Sequence, residues 1–119
     1  MEELKQIHPP TEVAIRRFLS LLAGRYDVVK AVVYGSHARG DLPPEPDVDV
    51  ALILDGPLQR FVPTRLALAD VAFDVLFDTG INISPLPVWL DEWEHPEQSP
   101  NPTLLESIAR DGIELSLDQ

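Results

Sequence analysis

Two aspartates, Asp47 and Asp49, stand one residue apart at the start of a predicted strand. Side chains two positions apart on a strand leave the same face, so the two carboxylates are predicted to lie side by side. Carboxylates this close repel one another unless a cation lies between them. Mg²⁺ suits such a pair, because it takes hard oxygen ligands and keeps coordination positions for substrate phosphates. An isolated Asp-x-Asp is more often a pair of solvated residues, so the interpretation needs a second feature.

A Gly-Ser turn supplies that second feature. Gly35 and Ser36 interrupt the apolar run of residues 28–34, and Asp47 follows after ten further residues. Glycine allows a positive φ or a close backbone approach to a ligand. Ser36 is predicted to open a short helix, whose free N–H groups attract phosphate. The two features together predict a phosphate site beside a metal site.

The basic residue after the turn has two interpretations. Arg39 could contact phosphate, or it could pair with Asp41, Glu45 or Asp47 and hold the proline-rich loop of residues 41–46. We slightly favour the structural role. His37 is expected to be exposed and non-catalytic.

The remaining residues predict the elements that position this stretch. Gly24 and Gly80 are predicted to end helices, Thr11 is predicted to cap the first helix, and residues 89–101 are predicted to be a polar connection. The inward side of the long helix is assigned to Leu66, Leu68, Ala69, Ala72, Phe73, Leu76 and Phe77, and that of the last helix to Leu105, Ile108 and Ala109. Predicted helices cover residues 12–23, 58–79 and 102–110, and predicted strands cover residues 28–34, 47–54, 81–88 and 112–117. This order predicts an α/β chain of residues 1–119 as a single domain, with one sheet backed by helices.

Composition excludes several classes of function. The net charge of −11, from 20 acidic and 9 basic residues, opposes direct binding to nucleic acid and suits a basic protein partner. No apolar run approaches the roughly 20 residues of a membrane helix. The acidic start of the chain lacks the form of a signal peptide, so a cytoplasmic location is the default expectation.

The central stretch resembles a known signature. Gly35-Ser36, ten intervening residues and Asp47-Val48-Asp49 resemble the motif of the DNA polymerase beta-like nucleotidyltransferase superfamily. The Gly-Ser-x-Ala-Arg-Gly wording of residues 35–40 most resembles the small bacterial minimal nucleotidyltransferase (MNT) group. The resemblance implies the small nucleotidyltransferase fold, an α/β fold with one mixed sheet backed by helices.

The resemblance also implies a reaction and roles for the motif residues. The reaction is transfer of a nucleotidyl group from a nucleoside triphosphate, with ATP and Mg²⁺ expected. Asp47 and Asp49 would be the catalytic metal ligands, Gly35 and Ser36 would hold the β- and γ-phosphates, and Arg39 would contribute to nucleotide binding.

A partner is implied as well. The superfamily's larger members carry a helical acceptor-binding domain for which this chain has no space, so the acceptor is expected in trans. MNT proteins commonly pair with a helical HEPN-type toxin and silence it, in some types by attaching AMP to one of its tyrosines. The resemblance therefore implies a hetero-oligomer. Two alternatives stay open: an antitoxin that acts by binding alone, and an enzyme acting on a small molecule such as an aminoglycoside.

One position departs from the superfamily pattern. The resemblance implies a third carboxylate on a later strand, where it acts as the base, but the polar face of residues 81–88 offers Asn82 and Ser84. An asparagine can offer an oxygen to a metal, but it cannot accept a proton at neutral pH. We expect either slow transfer or a base supplied from elsewhere.

Overall fold

The computed structural model describes residues 7–117. Residues 1–6 and 118–119 of the expected domain lie outside that range. Helices and strands alternate along the chain in the predicted order. The elements are α1 (Pro9–Leu22), β1 (Val28–Tyr34), α2 (Ser36–Arg39), β2 (Asp47–Leu54), α3 (Phe61–Thr79), β3 (Asn82–Trp89), α4 (Leu90–Glu94), a 3-10 helix (Pro96–Gln98), α5 (Pro102–Asp111) and β4 (Ile113–Leu115).

The four strands form one mixed sheet in the order β3-β2-β1-β4. β1 pairs antiparallel with both β2 and β4, whereas β2 pairs parallel with β3. The expected fold class is therefore confirmed. The parallel pair is joined by α3, as the crossover between parallel strands requires.

Helices cover both faces of this sheet. Alternate side chains of β2 point to opposite faces. Val48, Val50, Leu52 and Leu54 pack with α1 and α3, whereas Ala51 and Ile53 pack with α5. Both clusters are fully or almost fully buried, which explains the nearly continuous apolar sequence of this central strand.

The edge position of β3 follows from its prolines. Pro85 and Pro87 pair with Val50 and Leu52 of β2. Because the two prolines are two residues apart, their nitrogens point to the same side of the strand, away from β2, where no ladder bond is needed. β3 is accordingly an edge strand, and its pairing with β2 continues past the prolines to Trp89.

Three local predictions are wrong. Thr11 does not cap α1, because that helix begins at Pro9, whose fixed φ suits a first helical turn, and Thr11 is buried inside it. The expected connection over residues 89–101 contains α4 and the 3-10 helix. Ala109 is exposed, because the buried stripe of α5 is narrow and consists of Leu105 and Ile108.

The buried face of α3 also differs from the prediction. Its core side is formed by Thr64, Leu68, Val71, Ala72 and Val75. Leu66, Phe73 and Phe77, predicted to point inward, are 62%, 62% and 83% exposed. The helix carries apolar residues nearly all round, so its periodicity alone could not identify the buried side. Within residues 7–117, no helix is long and apolar enough to span a membrane.

Candidate active site

Strand pairing brings the polar residues of three strands to one face of the sheet. Asp47 is the register partner of Asn82, and Asp49 is the partner of both Tyr34 and Ser84. Asp47 and Asp49 share a face because they are two residues apart. This is the face covered further along by α5, opposite the α1–α3 layer. The two aspartates therefore lie together at the start of β2, as predicted.

Gly35 approaches Asp49 too closely to carry a side chain. Its φ is +78° and its ψ is −149°, a conformation open to little besides glycine. A Cβ built on Gly35 would lie 2.7 Å from Oδ2 of Asp49. The chain can therefore leave β1 and pass directly over the carboxylate only if this residue is glycine. The turn and the second aspartate form one structural unit.

Ser36 holds the loop that leads to the aspartates. It is 3% exposed, and its hydroxyl accepts a 2.9 Å hydrogen bond from the Glu45 N–H. Its carbonyl accepts N–H bonds from Gly40 and Asp41, both at 3.1 Å. Ser36 begins α2, as predicted, and its hydroxyl stabilises the loop. Its role in holding phosphate stays a prediction.

His37 adds a second bond to the same loop residue. Its Nε2 lies 2.7 Å from the Glu45 carbonyl oxygen, so this nitrogen carries the proton and donates. The expectation that His37 is exposed is wrong, because the residue is half-buried and holds the loop. The expectation that it is not catalytic stays a prediction. The sequence did not predict this contact with Glu45. Its one indication was that His37 lies inside the Gly-Ser motif.

Arg39 adopts the structural role that the sequence slightly favoured. Its Nη2 and Nε donate to Oδ2 of Asp41 at 2.8 and 3.2 Å. This bond raises the pKa of the guanidinium above its usual value. Both side chains are well exposed, so the pair contributes little stability. The role of Arg39 in nucleotide binding stays a prediction.

Asn82 occupies the position predicted for it beside the aspartates. Its side-chain Nδ2 donates a 2.8 Å hydrogen bond to Oδ1 of Asp47. Carboxylates that flank β3 in the sequence do not replace the missing one: Asp74 is exposed on α3, and Asp78 pairs with Arg17 at 2.8 Å. Glu92, at 3.4 Å, accepts the N–H of Trp89. None of these three joins Asp47 and Asp49.

The electrostatics of the cluster favour cation binding. Burial, followed by the charges of Glu45 and Asp47, raises the pKa of Asp49, while His37 and Arg39 oppose the shift. Glu45, which the sequence did not single out as a site residue, therefore belongs to the negative field around Asp49. A bound cation would relieve the repulsion that raises this pKa.

Tyr34 forms part of the same environment. Burial and the neighbouring charge of Asp49 raise the pKa of its phenol to about 12, with Arg65 opposing. Its hydroxyl therefore stays protonated at neutral pH and cannot act as a base. Arg65 is an exposed cation whose field reaches this face, and the sequence carried no signal for it.

The donor set fits Mg²⁺ bound together with a nucleotide. Within residues 7–117, no three His, Cys, Asp or Glu side chains gather as a closed metal cage. Mg²⁺ usually binds proteins through one or two carboxylates, with substrate phosphates and waters completing the shell. Asp47 and Asp49 match that requirement.

The fold and this cluster agree with the comparisons to known proteins. Residues 3–100 match the family model described as a nucleotidyltransferase domain, so the chain belongs to the nucleotidyltransferase domain family. The resemblance read from the motif is thereby confirmed at the level of the family.

Among curated proteins, the chain is similar to MJ1305 of Methanocaldococcus jannaschii, which is assigned as a protein adenylyltransferase. The two are 32% identical over 60 residues, which is 50% of this chain and 41% of that protein.

Two solved structures share the fold. A mutant of the MntA-HpeT toxin–antitoxin complex contains a chain that superposes with a TM-score of 0.58 at 17% identity, covering 96% of this chain and 76% of that one. A protein of Sulfolobus solfataricus, assigned as a nucleotidyltransferase, gives a TM-score of 0.50 at 16% identity, with 94% and 90% coverage.

The close approach at Gly35 gives a first prediction. Gly35→Ala forces a Cβ against Asp49, so we expect a loss of about 1–3 kcal/mol in unfolding free energy and loss of Mg²⁺–ATP binding. Gly40→Ala controls for a positive φ in the same turn, because Gly40 also has a φ of +78°, in the left-handed helical region with ψ 26°, and nothing lies within 4 Å of its added Cβ. Chemical denaturation and calorimetric titration measure both effects. Equal nucleotide affinity in the two variants would contradict the proposed coupling of Gly35 to Asp49.

The raised pKa of Asp49 gives a second prediction. In the folded state this group keeps its proton to higher pH than in the unfolded chain, so its ionisation destabilises the fold as pH rises through the ordinary carboxylate range. We expect Asp49→Asn to stabilise the protein at pH 7, by about 1 kcal/mol or less because the group is partly exposed, and not at pH 3. Urea unfolding in EDTA at both pH values measures this, with Asp74→Asn as the control. Stabilisation by Asp49→Asn that is the same at both pH values would contradict an ionisation effect.

Proposed function

We propose that this chain transfers AMP from ATP to a protein partner, and that the partner is the helical HEPN-type toxin of a toxin–antitoxin pair. The main structural support is the cluster in which the backbone of Gly35 passes over Asp49, with Asp47 beside Asp49 on β2. Membership of the nucleotidyltransferase domain family supports the reaction class. The assignment of MJ1305 as a protein adenylyltransferase supports a protein acceptor, and the MntA-HpeT toxin–antitoxin complex supports a toxin–antitoxin setting. An ATP-dependent reaction of this kind suits the cytoplasm.

The reaction is a displacement at the α-phosphorus of ATP. A hydroxyl oxygen of the acceptor forms the new bond to this phosphorus, the bond to the bridging oxygen of the β-phosphate breaks, and pyrophosphate leaves. The hydroxyl proton passes to solvent or to a base on the partner. Gly35 and the first turn of α2 would receive the outer phosphates, because the first N–H groups of a helix have no intrahelical acceptor. Mg²⁺ held by Asp47 and Asp49 would supply positive charge to the triphosphate and the leaving group.

Asn82 supports an alternative in which the protein neutralises its partner by binding alone. The Asn82 amide donates to Asp47 and cannot accept a proton from an incoming hydroxyl. Nucleotide binding at the same aspartates could then be retained without efficient transfer.

An exposed apolar row on α3 supports a protein partner under either alternative. Val62, Leu66, Phe73 and Phe77 follow helical spacing and are 61–83% exposed. Rows of large exposed apolar side chains on one face mark interaction surfaces. Three aspartates, Asp70, Asp74 and Asp78, run beside the row at intervals of four residues.

The charges favour a different protein over a second copy of this chain. Antiparallel pairing of α3 with its own copy about the helix middle would bring Asp70 against the same residue of the second chain. A partner helix with an apolar face and flanking Lys or Arg would instead be attracted to the acidic row. The overall charge of −11 acts in the same direction.

The transfer proposal is tested by intact mass. The protein is mixed with the product of the neighbouring gene, ATP and Mg²⁺, and we expect the neighbour to gain one or more AMP units. Asp47→Asn with Asp49→Asn should abolish the gain, and Glu106→Gln on the exposed side of α5, away from the α3 surface, should not. An unchanged mass in a tight complex would contradict transfer and favour the binding alternative. Unaffected Mg²⁺–ATP binding by the double variant would remove the proposed site.

The α3 surface is tested separately by affinity. Replacing Phe73 and Phe77 together by serine should weaken binding to the same neighbour at least tenfold, about 1.4 kcal/mol, because the aromatic anchors are lost. Leu42→Ser is the control, since Leu42 is 93% exposed in the loop after α2. Biosensor titration of the purified proteins measures the dissociation constants. Equal affinity of the wild type and the double serine variant would exclude α3 as the docking surface.

A further inference from the structure

A mostly apolar pocket of about 470 Å³ lies beside the edge strand. Leu86 and Val88 of β3 line one side, and Leu104 and Leu105 of α5 line another. Phe61, at the start of α3, completes the lining at the outer edge. The volume is in the range of pockets that bind small molecules.

The pocket and the two aspartates share one face of the sheet. On β3, residues 82, 84, 86 and 88 point to the same side, and their register partners on β2 are residues 47, 49, 51 and 53. Ser84 lies beside Asp49, and Leu86 is the next residue on that face, about 7 Å further along the strand. The pocket therefore begins at the next residue on this face after Ser84, close to Asp49.

This separation suits the base of a bound nucleotide. In a nucleoside triphosphate the ribose lies between the α-phosphate and the base, so the base is separated from the α-phosphate by about the width of one sugar ring. An acceptor side chain must instead bring its oxygen onto the α-phosphorus itself, next to Asp47 and Asp49. The distance therefore favours the base over the acceptor as the group that occupies the pocket.

The chemistry of the lining agrees with a flat aromatic ligand. The lining is mostly apolar and combines aliphatic side chains with Trp89 and Phe61. Phe61 is 42% exposed. Two polar groups of the lining are already engaged: the side-chain oxygen of Asn101 accepts the Leu104 N–H at 3.3 Å, and Glu92 accepts the Trp89 N–H. Gln59, exposed at the rim, offers an amide that can both donate and accept.

We propose that this pocket binds the base of the nucleoside triphosphate, with Leu86 and Leu104 on either side of the ring. The proposal rests on the proposed binding of ATP at Asp47 and Asp49. It assigns the base to residues outside the Gly-Ser motif, on β3 and on α5.

The test compares two ligands that differ only in the nucleoside. Calorimetry measures the dissociation constants of Mg²⁺–ATP and Mg²⁺–tripolyphosphate for the full chain. We expect ATP to bind at least tenfold more tightly. Leu104→Trp fills the pocket and should reduce that ratio to about one, while tripolyphosphate affinity stays unchanged. Thr103→Trp is the matched control, because it adds the same indole to an exposed neighbouring position of α5.

The outcomes separate the pocket from the phosphate site. If tripolyphosphate binds and ATP binds no more tightly, the base pocket is excluded and the phosphate site stands. If neither ligand binds, the proposed nucleotide site itself is contradicted, and the pocket proposal with it. If Leu104→Trp leaves the ratio intact, the base lies elsewhere.

A second measurement does not depend on a substitution that could disturb folding. Methyl NMR of the wild-type chain follows Leu86, Val88 and Leu104 during titration with adenosine or with N-acetyltyrosinamide. We expect adenosine to shift these methyl signals. Shifts caused only by the tyrosine compound would overturn the assignment to the base and indicate an acceptor pocket, and no shift with either would overturn the pocket altogether.

Discussion

The passage of the chain over Asp49 is the constraint on which the rest of the site depends. β1 ends at Tyr34, directly opposite Asp49 in the antiparallel register. The next residue must turn away from the sheet above that carboxylate, and only a glycine with positive φ has the space to do so. Ser36 is then positioned to hold Glu45, and the loop returns to β2 with both aspartates on the open face.

The fold holds the carboxylates of Asp47, Asp49 and Glu45 near one another, although the repulsion between their charges opposes folding. The pKa of Asp49 is raised by its burial and by Glu45 and Asp47, which means that the folded state bears a cost at neutral pH. The loop is nevertheless held in place from both sides, by the Ser36 hydroxyl and the His37 ring. If Asp47 and Asp49 bind a cation as proposed, it would relieve this repulsion, and until then the surrounding fold supplies the stability that the cluster lacks.

Sequence patterns could predict the parts of this site that depend on local rules. The alternation of a strand places Asp47 and Asp49 on one face, and the prolines of β3 identify an edge strand. The contacts that depend on three-dimensional register could not be predicted in this way. The His37–Glu45 bond joins residues across a loop, and nothing in the local pattern specifies that distance.

The exposed face of α3 could not be predicted for a different reason. Phe73 and Phe77 have the same helical spacing as Val71 and Val75, so periodicity is satisfied by either side of the helix. The side of α3 that packs on the sheet carries residues smaller than phenylalanine, among them the β-branched Val71 and Val75, which pack closely on the valines and leucines of the strands. The aromatic side is left outside, where a partner can cover it.

Because Asn82 cannot accept a proton, it restricts which acceptor hydroxyl could react at this site. Its amide donates to Asp47, which adds no further negative charge to the cluster but provides no proton acceptor. A hydroxyl that attacks phosphorus at such a site must lose its proton with little help from this chain. A tyrosine phenol ionises near pH 10, far more readily than an aliphatic alcohol, so it depends least on an enzymatic base. If the chain transfers AMP as proposed, the amide at position 82 therefore favours a phenolic acceptor over a serine or threonine, or a partner that brings its own base beside the acceptor.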